Sequence, residues 1–111
     1  MKALALIMGC LLAGVAQAAS FDCGRAASAD ERAICANRAL NDADVRMAVK
    51  YDILSHMLAM GGRGALRDDQ RAFLAKRKQC GASSQCIGAL TAAQEAKLQA
   101  SLQRIYSAGP F

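Results

Sequence analysis

The sequence predicts an all-α fold, a small disulfide-stapled helical domain with one short and three longer helices. Three observations carry this reading. Alanine, leucine, arginine and glutamine dominate the 111 residues, and these are strong helix formers. Strand-type alternation of β-branched residues is absent, and the only proline, Pro110, lies beyond every candidate helix. Four cysteines remain once the N-terminal leader is set aside, an even count that reads as a disulfide framework in a small exported chain.

Residues 1–18 are read as that leader. Lys2 gives the positive start, Ala3 to Val15 the apolar run, and Ala16-Gln17-Ala18 the small-x-small cleavage pattern. The apolar run is shorter than the roughly 20 residues of a membrane span, and no second such stretch follows. A soluble mature protein, periplasmic or secreted, is expected, with no transmembrane segment. Lipoprotein processing at Cys10 is disfavoured, because the apolar run continues past it through Leu11, Leu12 and Val15. Residues 19–111 then form a single domain.

The first helix opens at Ser28, where Ser28-Ala29-Asp30-Glu31 has the capping-box pattern. Asp30 and Glu31 also suit the positive end of a helix dipole. Asn41 and Asp42 open a second helix, along which Leu40, Ala43, Met47, Tyr51, Leu54 and Leu58 recur at three- and four-residue steps. Gly61-Gly62-Arg63-Gly64 is expected to end it, since glycine makes continued helix costly. A third helix spans about 65–79, with Leu66, Gln70, Phe73 and Arg77 on its inner side and Leu74 at the edge. There, Gln70 and Arg77 are expected to pack their stems at an inter-helix seam and bond exposed carbonyls. The turn from Cys80 to Cys86 leads into a last helix from about Ser84 to Tyr106, with Ile87, Leu90, Leu98, Leu102 and Ile105 as its apolar stripe.

Cys23, Cys35, Cys80 and Cys86 admit three pairings. The local one, Cys23 with Cys35 and Cys80 with Cys86, closes two short loops. Each such loop contributes about 2–3 kcal/mol on the loop-entropy argument. A zinc site is disfavoured, since neither bracket is a CxxC and His56 is the only histidine. His56 is read as a surface residue. A Cu(I) pair with Met60, one helical turn further on, is the alternative; it is disfavoured because methionine usually fills cores. No cofactor or metal is expected.

The chemistry-bearing residues point away from an enzyme. No nucleophile pattern surrounds His56, and the pairs Asp68-Asp69 and Asp42-Asp44 sit where helix starts favour carboxylates. Loss of Lys2 leaves 13 Lys plus Arg against 9 Asp plus Glu, a net charge of +4. That mild excess favours anionic partners. Nucleic acid is excluded by the exported setting and by basic clusters without interleaved aromatics. Two faces are candidates for binding: a basic one formed by Arg63, Arg67, Arg71 and Lys78, and an acidic one around Asp42 and Asp44.

The ordered motifs resemble the LprI-type lysozyme-inhibitor family of exported bacterial proteins. Phe21-Asp22-Cys23 and Glu31-Arg32-Ala33-Ile34-Cys35 match its opening. Leu40, Ala43-Asp44 and Tyr51 follow, then Gln70-Arg71-Ala72-Phe73, Arg77-Lys78-Gln79-Cys80 and Cys86-Ile87. The likeness runs from Phe21 to Leu98. It departs at Phe73, where the family has Trp, and at Thr91 and Gln94, where it has Tyr and Arg. The resemblance implies the local disulfide pairing, a helical fold and a non-enzymatic binding module, a lysozyme inhibitor that acts by surface docking; against a basic lysozyme, the acidic patch around Asp42, Asp44 and Asp52 is the face expected to dock. The alternative is an envelope protein that binds anionic cell-wall or lipid components through the basic helix face.

Overall fold

A computed structural model describes residues 19–108. The candidate leader, its cleavage site and Cys10 lie outside the described residues. A short 3-10 turn, Cys23–Arg25, precedes four helices: α1 (Ala29–Ala36), α2 (Arg38–Met57), α3 (Met60–Gln79) and α4 (Ser84–Ser107). The all-α architecture with one short and three long helices is the one the sequence predicts. Both disulfides are local, Cys23–Cys35 and Cys80–Cys86, with Cα atoms 5.8 and 5.6 Å apart. Their four thiols are therefore unavailable to zinc.

The helix boundaries follow from caps. Ser28 is the N-cap of α1, but the reciprocal capping box does not form. Its hydroxyl donates instead to Glu31 Oε1 at 2.8 Å. Asn37 both ends α1 and begins α2, its side chain accepting from the Leu40 N–H at 3.2 Å. The start of α2 is thus one turn earlier than expected, and Asn41 is buried in its second turn. Ser83 caps α4 through the Cys86 N–H, two residues after the chain turns at Cys80 and Gly81. Gly81 has φ +59°, a left-handed conformation that favours glycine.

The joint between α2 and α3 corrects the sequence reading. The break falls at Leu58 and Ala59, and the three glycines lie in the first turns of α3. The opening N–H groups of a helix have no intrahelical partner. Glycine's helix cost is backbone entropy, and glycines in these opening turns are fixed by fewer hydrogen bonds than in mid-helix, so they cost less here. Arg63 folds back, donating from Nε to Ser55 O at 2.7 Å and from Nη2 to Leu58 O at 3.3 Å, which satisfies carbonyls at the end of α2. His56 and Met60 consequently belong to different helices. His56 lies at the surface with Nδ1 2.8 Å from Asp52 O.

Two apolar clusters hold the helices. Met47, Leu54, Phe73, Leu98 and Leu102 form the larger, packed on by Tyr51, Leu66, Leu90 and Ile105. Ile34, Leu40 and Ile87 form the smaller, packed on by Ala19, Phe21, Ala33 and Cys80. A polar seam runs along the larger one: Gln94 donates to Gln70 Oε1 and Asp69 Oδ2, both at 3.0 Å, and Gln70 donates to the Met47 sulfur at 3.1 Å. Gln70 therefore bonds side chains rather than carbonyls. Phe73 fills the larger core, and Thr91 is buried with its hydroxyl on Ile87 O at 2.8 Å.

Candidate functional site

Where α1 crosses α2 and α3, three charged side chains from distant parts of the chain meet underground. Arg77 of α3 donates from Nε to Asp30 Oδ2 at 2.9 Å and from Nη1 to Asp44 Oδ1 at 3.1 Å. All three side chains are at least 94% buried. The guanidinium also lies over the rings of Phe21 and Phe73, 5.9 and 5.8 Å from their centroids. The second oxygen of Asp44 accepts from the Ser20 backbone N–H at 2.8 Å. Asp30 Oδ1 has no hydrogen-bond partner among the described residues. Burial pushes the Asp30 carboxyl up, but the polar Ser28 side chain nearby and the hydrogen bond and charge of Arg77 outweigh it. The net effect holds Asp30 below the usual carboxylate range.

Above this triad lies an open groove of about 640 Å³. Its lining includes Phe21 and Glu31 on one side, Tyr51 of α2, and Arg67, Arg71 and Lys78 of α3. Those three cations share one stripe of α3, since steps of four and seven residues return to nearly the same face. The stripe is about 16 Å long at 1.5 Å per residue. Arg67 and Lys78 have no ion-pair partner among the described residues, and Arg71 has only the exposed Asp68 at 3.9 Å. Leu74, 40% exposed, sits within the same stripe.

The basic residues singled out in the sequence thus divide. Arg67, Arg71 and Lys78 come together on the groove, whereas Arg63 is committed to the end of α2. The acidic face does not survive as read: Asp42 is exposed, but Asp44 is buried beneath Ser20 and bound to Arg77. Asp44 has no free surface with which to dock. Arg77, expected on carbonyls, holds two carboxylates instead. Sequence reasoning missed the triad, since Asp30 and Asp44 stand 47 and 33 residues from Arg77. Tyr51, read as part of the α2 core stripe, does pack on the larger cluster while half-buried, and it also lines the groove.

The remaining perturbed carboxylates are ion-pair partners. Asp69 is held low by a hydrogen bond from Lys97 and then by Gln94. Glu95 is held low chiefly by Lys50, at 2.7 Å, against the opposing effect of its burial. Each stays charged at neutral pH, the opposite of the raised carboxyl that a general acid requires. Among the described residues no group of three His, Cys, Asp or Glu side chains is placed to hold a metal. No described helix is long and apolar enough to cross a membrane.

Fold and groove together define a small stapled helical domain that offers a shaped, charged surface. The family described as Lysozyme inhibitor LprI matches over residues 23–107, and the chain belongs to it. Searches of the curated proteins and of the solved structures found no match. Membership in a family of inhibitors and the two disulfides together point to an exported protein.

Proposed function

We propose that this chain is an exported lysozyme inhibitor, freed of its leader after Ala18, that docks by the α3 stripe over the groove. One observation carries the choice of face: Arg67 and Lys78 line the groove with no ion-pair partner among the described residues, and Arg71 between them has only the exposed Asp68 at 3.9 Å. Glycoside hydrolases flank the scissile bond with two carboxylates. A guanidinium or ammonium from this stripe can enter such a cleft and bond both. The larger surface around it, with Leu74, Phe21 and Tyr51, supplies apolar contact.

The net charge of +4 gives no long-range attraction toward a basic lysozyme. That repulsion is screened beyond about 8 Å at physiological salt, whereas ion pairs within a desolvated contact persist. The burial of Asp44 favours this face over the acidic one, of which Asp42 remains at the surface.

The test uses protein recovered from the periplasm and a soluble, uncharged chitooligosaccharide substrate. A neutral substrate separates inhibition of the enzyme from coating of an anionic cell wall. Saturable inhibition is expected, weakened at least tenfold by Arg71→Glu with Lys78→Glu and unchanged by Asp42→Lys. A desolvated charge pair that loses one partner costs about 2–5 kcal/mol, enough for that change. Inhibition that is lost with Asp42→Lys and kept by the arginine variants would reverse the face. Absence of inhibition, with cell-wall binding that depends on Arg67, Arg71 and Lys78, would replace the inhibitor with an envelope-binding protein.

A further inference from the structure

The buried triad sets two carboxylates, Asp30 and Asp44, against one guanidinium, and Asp30 Oδ1 has no donor. Buried charges are normally paired, so one further positive group is wanted close by. The chain's start is pinned at this place residue by residue. Ala19 packs on the Ile34, Leu40 and Ile87 cluster. Ser20 gives its N–H to Asp44 Oδ2 at 2.8 Å, and Phe21 lies against Arg77. Asp22 accepts from the Gly24 N–H at 2.9 Å, and Cys23 is tied to Cys35. The first residues of a domain stay ordered only when held in such a way.

We infer that removal of the leader supplies the missing charge: the α-ammonium created at Ala19 completes the Asp30–Arg77–Asp44 cluster, so that processing itself stabilises the fold. Backbone nitrogens of neighbouring residues are roughly 3 Å apart, which puts the Ala19 amine within roughly 6 Å of the Asp44 carboxylate. At that distance an opposite charge favours the ionised carboxylate. With the leader attached, the same nitrogen is a neutral amide. The cluster then keeps its excess negative charge, and the domain is less stable before export than after it. This inference rests on cleavage after Ala18 and is independent of what the groove binds.

Processed protein is compared with two semisynthetic forms of the same chain from Ala19, one Nα-acetylated and one Nα,Nα-dimethylated. Acetylation removes the charge, whereas dimethylation keeps it and adds bulk. In urea unfolding at low salt, acetylation is expected to weaken the folding equilibrium about tenfold, the equivalent of one pKa unit. The dimethyl form should match the free amine. In Asp44→Asn protein the gap between acetylated and free forms should close. Equal stability of acetylated and free forms would overturn the inference, and so would a dimethyl form as weak as the acetylated one. The intact mass of the periplasmic protein tests the cleavage site separately: any start other than Ala19 overturns the inference without touching the groove.

Discussion

At the end where α1 crosses the bundle, two disulfides and a buried ion triad fix the chain; at the far end, where α2 turns into α3, apolar packing and one arginine do so. The smaller apolar cluster, at the stapled end, has three buried residues, Ile34, Leu40 and Ile87. The larger has five, Met47, Leu54, Phe73, Leu98 and Leu102, which run from beside the triad to the far end, where no covalent link adds to them. A chain of this size buries only about 60–65% of its unfolded surface, so a small core needs other support. The disulfides, worth about 2–3 kcal/mol each on the loop-entropy argument, supply it where the apolar cluster is thinnest. The contrast also separates roles. Each end carries an open groove of about 640 Å³: the one at the end fixed by charge and covalent bonds is lined by Arg67, Arg71 and Lys78, and the one at the other end is mostly apolar and lies beside the glycines.

The largest way to break this contrast is to remove the centre of the triad. Arg77→Ala leaves Asp30 and Asp44 buried without their counter-ion, and such losses typically cost about 3–5 kcal/mol. Urea midpoints should fall accordingly. A change below about 1 kcal/mol would mean that water from the groove already shares the charge.

Acid should act by a gentler route, at the triad and at two ion pairs elsewhere in the bundle. The Asp30, Asp69 and Glu95 carboxyls are all held below their ordinary values in the fold. Their contribution is therefore complete above the unfolded values near 4, and it drains away as pH falls through the folded ones. Thermal midpoints should be flat above about pH 5 and decline below pH 4. In Arg77→Ala protein the part of the decline due to Asp30 should be gone. A wild-type midpoint that rises on acidification would contradict the ion-pair account.

The smallest effect lies at the other end. A Cβ added at Gly61 or at Gly64 meets nothing within 4 Å, and neither glycine has a positive φ. Gly61→Ala and Gly64→Ala should each raise stability, by about 0.4–1 kcal/mol, by restricting the unfolded chain. Destabilisation by either would show that the α2–α3 corner needs glycine for a reason beyond backbone entropy.

How far the sequence could be read follows the same division. The helices were legible because their apolar stripes are local: Met47, Tyr51 and Leu54, or Leu98, Leu102 and Ile105, repeat within a few turns. Ser28 marks the start of α1 through Glu31, three residues on. The α2–α3 break was misplaced because glycine propensity says how costly a mid-helix position is, and these glycines occupy a helix start. The triad was not legible at all. Asp30 and Asp44 have the appearance of ordinary helix-start carboxylates, and only the packing of α1, α2 and α3 brings Arg77 between them. For the same reason Asp44 seemed a surface residue. Of the candidate site, Arg67, Arg71 and Lys78 could be placed on one stripe from spacing alone, whereas the groove beside them required Phe21 and Tyr51 from other elements.

Docking by the stapled end can be checked by titrating an inhibited lysozyme into the 15N-labelled protein and following each amide by NMR. Shifts should concentrate at residues 20–31, around Tyr51 and at residues 67–78, with residues 57–66 and 101–108 unmoved. Shifts confined to the α2–α3 corner and the end of α4, with the groove silent, would contradict it.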